Sequence, residues 1–317
     1  MATLTISAEE EKRVKKMGFL SNKGTDDFSA RIITINGKMN ADQLRVVCDA
    51  AKKFGTGEVT FTTRQTIEVV GVPFDQIDAF QAYIGEAGLV TGGTGSKVRP
   101  VVACKGTTCQ YGLLDAYALS EEIHHRFYEG YREVLLPHKF KIAVGGCPNN
   151  CVKPDLNDLG IIGQRIPAYD PDDCNGCKKC AVEKVCPIGA AKMVDGVMEI
   201  DPEVCNNCGR CVGACPFDCI EDGKYGFKIY IGGRWGKSVA HGRALSKVFT
   251  DKEEALSVIE KALLLFREQG HTGERFATTI ERLGFENVER QLLSDDILAR
   301  KQEILDAKLH LVGGATC

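Results

Sequence analysis

The sequence predicts an α+β chain in which a small cysteine-rich module interrupts a larger framework of sheets and helices. Three observations carry this reading. The 317 residues are enough for roughly two domains with a real core. Apolar segments of strand period and of helix period alternate along most of the chain. Nine of the 15 cysteines crowd into residues 166–224, where the composition shifts sharply. The balance of 44% hydrophobic and 26% charged residues excludes collagen-like, disordered and membrane-spanning classes. No apolar run approaches the roughly 20 residues of a spanning helix. A net charge of −3, from 40 basic and 43 acidic residues, gives no support for a nucleic-acid or membrane surface.

Residues 1–26 read as a polar lead-in without an apolar export signal. Within the first region, 1–90, Phe28 to Ile32 alternates as a strand, and Asn36-Gly37 marks a turn. Asn40 caps a helix running to Phe54, with Leu44, Val47, Cys48 and Ala51 at helical spacing. Val59–Thr63 and Thr66–Val72 form a strand pair, and a second helix covers Phe74–Ala87. The order β-α-β-β-α is that of a ferredoxin-like split βαβ unit. In region 91–165, strands are predicted at Arg99–Ala103, Lys139–Val144 and Leu159–Ile162, with a helix over Leu113–Phe127. Region 225–317 resumes this style after the cysteine-rich stretch. It has a strand at Phe227–Ile231 and helices near Lys252–Gln269, Arg275–Leu283 and Asp295–Ala307. Region 166–224 therefore reads as an insertion.

Cys205, Cys208, Cys211 and Cys215, followed by Pro216, have the spacing C-x2-C-x2-C-x3-C-P of a bacterial ferredoxin, whose fourth cysteine ligates the other cluster. Cys174, Cys177, Cys180 and Cys186 before Pro187 form a matching half with a longer last gap. The pattern assigns one [4Fe–4S] cluster to Cys174, Cys177, Cys180 and Cys215, and another to Cys205, Cys208, Cys211 and Cys186. Zinc knuckles would use two C-x2-C pairs instead of triplets with a trailing Cys-Pro. Cys104 with Cys109, and Cys147 with Cys151, are two further pairs at strand ends. By spacing alone they could hold a third cluster, hold zinc, or be free thiols. So many thiolates suit a reducing cytoplasm better than a secreted disulfide framework.

Val144-Gly145-Gly146-Cys147-Pro148-Asn149-Asn150-Cys151, continuing to Gly160-Ile161-Ile162-Gly163, resembles the cluster-and-sirohaem segment of the sulfite and nitrite reductase family. Thr62-Thr63-Arg64-Gln65-Thr66, Arg99, Lys139-Phe140-Lys141, the glycine-rich strand with Gly232-Gly233-Arg234, and Gly273-Glu274-Arg275-Phe276 carry the same resemblance, over residues 28 to 285. In the better-known haemoproteins of the family five residues separate the first cysteine pair; here four do. The inserted module is similar to that of dissimilatory sulfite reductases. The short single-copy chain most resembles the C subunit of anaerobic sulfite reductases.

The resemblance implies a ferredoxin-like half-domain (1–90), a sirohaem and [4Fe–4S] domain in two parts (91–165 and 225–317), and the inserted two-cluster ferredoxin (166–224). It implies three [4Fe–4S] clusters and one sirohaem. Cys104, Cys109, Cys147 and Cys151 would hold the third cluster, with Cys151 bridging to the sirohaem iron and Gly232, Gly233 and Arg234 beside the cofactor. The activity implied is six-electron reduction of sulfite to sulfide. The alternatives are sirohaem nitrite reduction, a haem-free polyferredoxin, or an inactive sister subunit. An oxyanion substrate needs cations, and Arg64, Arg99, Lys139 and Lys141 are the candidates. Lys139 and Lys141 stand two apart, so on a strand they share a side.

Gly92, Gly93 and Gly95 do not form a nucleotide fingerprint, so electrons would come from a flavin or iron–sulfur partner. Family enzymes with one long chain carry the unit twice. Two copies of this chain, or one copy and a homologous subunit, are therefore expected to pair. Cys48 and Cys219 read as core thiols and Cys317 as a terminal one. The histidines show no ligand-like spacing, although His138 adjoins the lysine pair and could carry protons.

Overall fold

A computed structural model describes residues 6–311; Cys317 lies outside the described residues. In chain order the helices and strands are α1 (Ala8–Lys16), β1 (Phe19–Ser21), β2 (Phe28–Ile32), α2 (Ala41–Phe54), β3 (Val59–Phe61), β4 (Ile67–Val72), α3 (Ile77–Gly85), β5 (Val102–Ala103), α4 (Ala116–Ile123) and β6 (Ile142–Gly145). The cysteine-rich stretch follows β7 (Leu159–Tyr169) and contains α5 (Ala181–Val185), β8 (Ala191–Val194) and β9 (Val197–Ile200). The chain ends with β10 (Ile220–Ile231), β11 (Arg243–Phe249), α6 (Lys252–Gln269), α7 (Phe276–Leu283), α8 (Phe285–Leu293), α9 (Asp296–Ala299) and α10 (Lys301–Asp306). Among the described residues no helix is long and apolar enough to cross a membrane.

The chain divides into two compact units. The first comprises the described residues up to Ala103, then Ala118–Ala143 and the described residues from Val258. Its antiparallel sheet has the order β1-β2-β4-β3. Phe28, Ala30 and Ile32 of β2 are fully buried, while Ser29 and Arg31 take the other face, as a two-residue period requires. Asn40 and Gln43 form a capping box at the start of α2. The lead-in is more structured than its polarity suggests: β1 pairs with β2, and Phe19 packs edge-on against Phe80 of α3 at 5.9 Å. On α2 the buried stripe is Val47, Ala50, Ala51 and Phe54, and Cys48 is exposed, not a core thiol. Cys48 lies about 100° round the helix from Val47, off the stripe, and Leu44 is likewise solvent-facing.

Elsewhere in this unit, Phe140, Phe266 and Phe276 form a buried aromatic trio with centroids 5.2–5.9 Å apart. The helix predicted over Leu113–Phe127 starts later, at Ala116, and widens into a π-helical turn over His124–Glu129. His124 is 2% exposed and packs on Tyr128 at 4.7 Å. Burial pushes its imidazole down to about 4, against the opposing pull of Glu129 and Glu121. The folded state thus keeps His124 neutral where the unfolded chain, at about 6.5, would take a proton. That stability is complete above about pH 6.5 and drains as pH falls towards 4. Between pH 8 and 6 the loss is expected to be about 1 kcal/mol. A His124→Gln variant should show a smaller fall in thermal midpoint over that range, and parallel curves would refute the assignment.

The second unit comprises Cys104–Tyr117 and Val144–Ser257. Its spine is the long antiparallel pair β7 and β10, flanked by β11, a strand the sequence reading did not foresee. Tyr169 pairs with Ile220, so the cysteine-rich stretch leaves and re-enters the sheet at adjacent strand ends. Inside it, β8 and β9 form a hairpin whose Asp195-Gly196 turn has both residues at positive φ. Met198 and Ile220 share a small core there with Val182 and Ala191. The segment predicted as one helix over Asp295–Ala307 is two, α9 and α10, separated at Arg300.

Candidate functional site

The first unit holds a cavity of about 170 Å³ lined by Arg31, Thr62, Thr63, Arg64, Thr66, Gly93, Arg99, Pro100, Lys139 and Lys141. All four cations expected from the sequence meet there. Arg64 stands at the apex of the β3–β4 turn. That turn is closed by the Thr62 N–H donating to the Thr66 carbonyl at 2.9 Å, with Gln65 left-handed at φ 58°. The Arg64 guanidinium donates to the carbonyl oxygens of Pro100 (2.6 Å from Nη2) and Ile142 (3.0 Å). Its donors brace the strand ends while its charge stays in the cavity. Gln65 clamps Ala103 in both directions, accepting from its N–H at 3.1 Å and donating to its carbonyl at 2.8 Å.

Lys139 and Lys141 owe their position to Phe140. The Phe140 N–H donates to the Lys97 carbonyl and its carbonyl accepts from the Arg99 N–H, so the segment runs extended beside residues 97–99. With the Phe140 ring in the aromatic trio, alternation turns both lysines to the opposite side. The Arg99 side chain donates to the Gly93 carbonyl, which also accepts from Arg31 at 3.2 Å. Gly93 has φ 73°, and a Cβ there would stand 3.0 Å from the Pro100 ring, so glycine is required.

Arg31 is the cavity residue that sequence reasoning missed. It sits on the polar face of β2, directly across from Glu68, to which it bonds at 2.7 Å. Its polar position in an alternating strand was the available signal. The cavity lining thus carries five cations and, among its described residues, no acidic side chain. His138 reports the resulting field. Burial, then Lys139, Arg275, Arg99 and Lys141, push its imidazole down to about 4, and its Nδ1 accepts the Lys139 N–H at 2.7 Å. His138 is therefore neutral near pH 7.

The second unit brings the cysteines together. Cys104 and Cys147 sit on loops that touch at glycines: a Cβ on Gly146 would lie 2.7 Å from the Gly106 Cα. The Gly146 N–H donates to the Cys104 Sγ at 3.1 Å. Burial pushes the Cys147 thiol up, and Cys104, Cys151 and Cys109 add to this through their charges. Charge on Cys104, Cys151 or Cys109 thus opposes charge on Cys147, and a positively charged iron–sulfur core is what would let the four ionise together. Cys151 follows Asn150, left-handed at φ 55°, whose side chain donates to Asp155 at 2.6 Å. Asp155 in turn meets His241 Nδ1 at 2.7 Å, and its carbonyl accepts the Gly242 N–H. The Gly232 N–H donates to the Asp158 carbonyl, and a Cβ on Gly233 would stand 2.2 Å from the Asp155 carbonyl oxygen. The Gly232-Gly233-Arg234 segment is thereby fastened to the loop that follows Cys151. Asp155 and His241 were not anticipated, because their partnership spans 86 residues.

In the cysteine-rich stretch, Cys186, Cys205, Cys208 and Cys211 line one small cavity of about 20 Å³. Burial pushes Cys211 up to about 11, with Cys205, Cys208 and Cys186 adding to the rise. At Cys186 burial also acts upward, but N–H groups of Ala191, Ile188, Ala190 and Gly189 outweigh it and hold the thiol below its ordinary range. Such a cradle of N–H donors suits a thiolate ligand. Cys174, Cys180 and Cys215 pack around the module core, as do Cys186 and Cys211, with Cys177 half-buried. Cys219 is 3% exposed and belongs to that core.

Residues 94–298 match the nitrite and sulphite reductase 4Fe-4S domain, and residues 21–87 match the nitrite/sulfite reductase ferredoxin-like half domain. A coenzyme F420-dependent sulfite reductase of Methanocaldococcus jannaschii is 31% identical over 252 residues, 78% of this chain and 39% of that protein. The C subunit of the anaerobic sulfite reductase of Salmonella typhimurium is 31% identical over 193 residues, 55% of this chain and 52% of that one. The matched segment thus covers about half or less of these curated relatives. A crystal structure of dissimilatory sulfite reductase I shares the fold, with a TM-score of 0.66 at 22% identity over 84% of this chain and 68% of that one.

Proposed function

The chain belongs to the nitrite and sulphite reductase family, and from that premise we propose that it reduces sulfite to sulfide with sirohaem and [4Fe–4S] clusters. The observation that carries this reading is the cavity lined by Arg64, Arg99, Lys139 and Lys141, with Arg31, paired to Glu68, as a fifth cation and no acidic side chain in the lining. A small oxyanion must be stripped of water to enter, and charge-assisted hydrogen bonds worth about 1.5–3 kcal/mol each offset that cost. Arg99, Lys139 and Lys141 bind and orient the anion, while Arg31, paired with Glu68, fastens the Gly93 turn beside them. Arg64 holds the strand ends in place and adds charge. The ammonium groups of Lys139 and Lys141 line the cavity and would be its proton sources, since neutral His138 has little proton to give.

When bound, sirohaem and its clusters supply the electrons and the iron that keeps hold of sulfur. Cys104, Cys109, Cys147 and Cys151 would hold one cluster, with Cys151 the ligand shared with the sirohaem and Gly232, Gly233 and Arg234 in its binding segment. Cys174, Cys177, Cys180 and Cys215 hold a second, and Cys186, Cys205, Cys208 and Cys211 a third. These two would supply a path for electrons from a flavin or iron–sulfur partner. Two copies of the chain, or one copy and a homologous subunit, complete the haem pocket, in the reducing cytoplasm that so many thiolates require. A monomeric hydrodynamic radius with full activity would refute the pairing.

Purified anaerobically, the protein should contain sirohaem and about twelve cluster irons, and should turn over sulfite faster than nitrite with a reduced dye as donor. Faster nitrite turnover would make it a nitrite reductase. A preparation without tetrapyrrole absorption would leave an electron carrier.

A further inference from the structure

The twelve ligands leave Cys219 over, and the internal repeat of the module gives it a role. Cys186-Pro187-Ile188-Gly189-Ala190-Ala191 opens into β8, and Cys215-Pro216-Phe217-Asp218-Cys219-Ile220 opens into β10. The two turns match in backbone as well as in spacing. The fourth residue of each is left-handed, Gly189 at φ 65° and Asp218 at φ 58°. The fifth is buried in each, Ala190 and Cys219 both at 3% exposure. Backbone N–H groups of each turn face the leading sulfur, from Ile188 to Ala191 at Cys186 and from Phe217 and Cys219 at Cys215. The turns differ in their donors: four backbone N–H groups serve Cys186 and two serve Cys215, and only at Cys215 does a side chain add one. The Cys219 Sγ lies 3.2 Å from the Cys215 Sγ and donates to it, whereas the Ala190 methyl has nothing to donate.

We propose that Cys219 is a positioning residue for electron flow: its S–H bonds to the Cys215 thiolate and raises the potential of the cluster held by Cys174, Cys177, Cys180 and Cys215 above the value that cluster would have without it. This rests on the two-cluster reading given above. A reduced cluster carries one more negative charge than an oxidised one. A donor to a ligand sulfur stabilises the reduced form more, and hydrogen bonds to the sulfurs are among the factors that set cluster potentials. The apolar surroundings of Val182, Ala191, Met198 and Ile220 keep Cys219 a thiol and shield the bond from competing water.

The test is a potentiometric titration of the intact holoprotein, followed by the electron-spin signals of the reduced clusters, with iron and acid-labile sulfide measured on every sample. Cys219→Ala should lower the midpoint of one module cluster and leave the other unchanged. A tenfold change in the reduced-to-oxidised ratio would read as about 59 mV for a one-electron couple. Cys219→Ser, which restores a donor, should move the midpoint back towards the original value. Ala190→Cys should raise the midpoint of the other cluster. Full iron with unchanged midpoints in Cys219→Ala would overturn the proposal. So would loss of one cluster's iron in that variant, which would make Cys219 a ligand. Unmutated protein lacking the module clusters would instead overturn the two-cluster reading on which the proposal stands.

Discussion

Lys141→Met is expected to keep the sirohaem absorption and lose sulfite turnover by about 10²–10³-fold, the usual loss when one preorganised donor is taken from a charge-stabilising site. Methionine retains an unbranched apolar stem, so the change removes charge and protons with little loss of packing. The backbone at Lys141 should not shift, because Phe140 is anchored among Phe266 and Phe276. Arg31, Arg64, Arg99 and Lys139 would still draw an anion in. The defect should therefore fall mainly on kcat, with a smaller change in KM. Turnover unchanged from the unmutated enzyme, at full sirohaem content, would remove Lys141 from the site.

Cys151→Ser is expected to abolish turnover and to cost about a third of the cluster iron, the share of one cubane among three. The reason is electrostatic as much as coordinative. Cys147 is pushed up by burial and by its three sulfur neighbours, so the site ionises only around a cationic core. A serine hydroxyl ionises far less readily than a thiol, so three thiolates would hold the core without a fourth anionic ligand. The sirohaem bands should shift as well, since Cys151 is the thiolate assigned to face its iron. Metal analysis and the visible spectrum together check this. Full iron, an unshifted spectrum and normal turnover would place the coupling elsewhere.

Much of this was legible in sequence because the signals are local. The β-α-β-β-α order of residues 28–85 and the span of α6 follow from periodicity and capping within single segments. The lead-in was read as polar because the buried contributions of α1 and β1 amount to few residues, such as Val14 and Phe19, whose partners lie in later strands. Cys48 was misjudged because helical spacing permits several stripes, and only packing against β4 and α3 selects the one through Val47. The outer halves of β7 and β10 escape a periodicity reading because their polar residues Arg165 and Asp222 satisfy each other across the strands.

By itself the chain's order of residues determined the chemistry: which thiols come in ferredoxin triplets, which come in pairs, and that Lys139 and Lys141 share a side. Coordination spacing and strand alternation act over a few residues, so they are written in the linear sequence. Folding alone decided that Arg31 joins Arg64 and Arg99 around one cavity, that Asp155 meets His241, and that Cys219 touches Cys215 where its counterpart Ala190 touches nothing comparable. Those contacts depend on register between distant segments and on which face of an element the core claims. Both are settled by burying apolar surface across the whole chain, not by the identity of neighbouring residues.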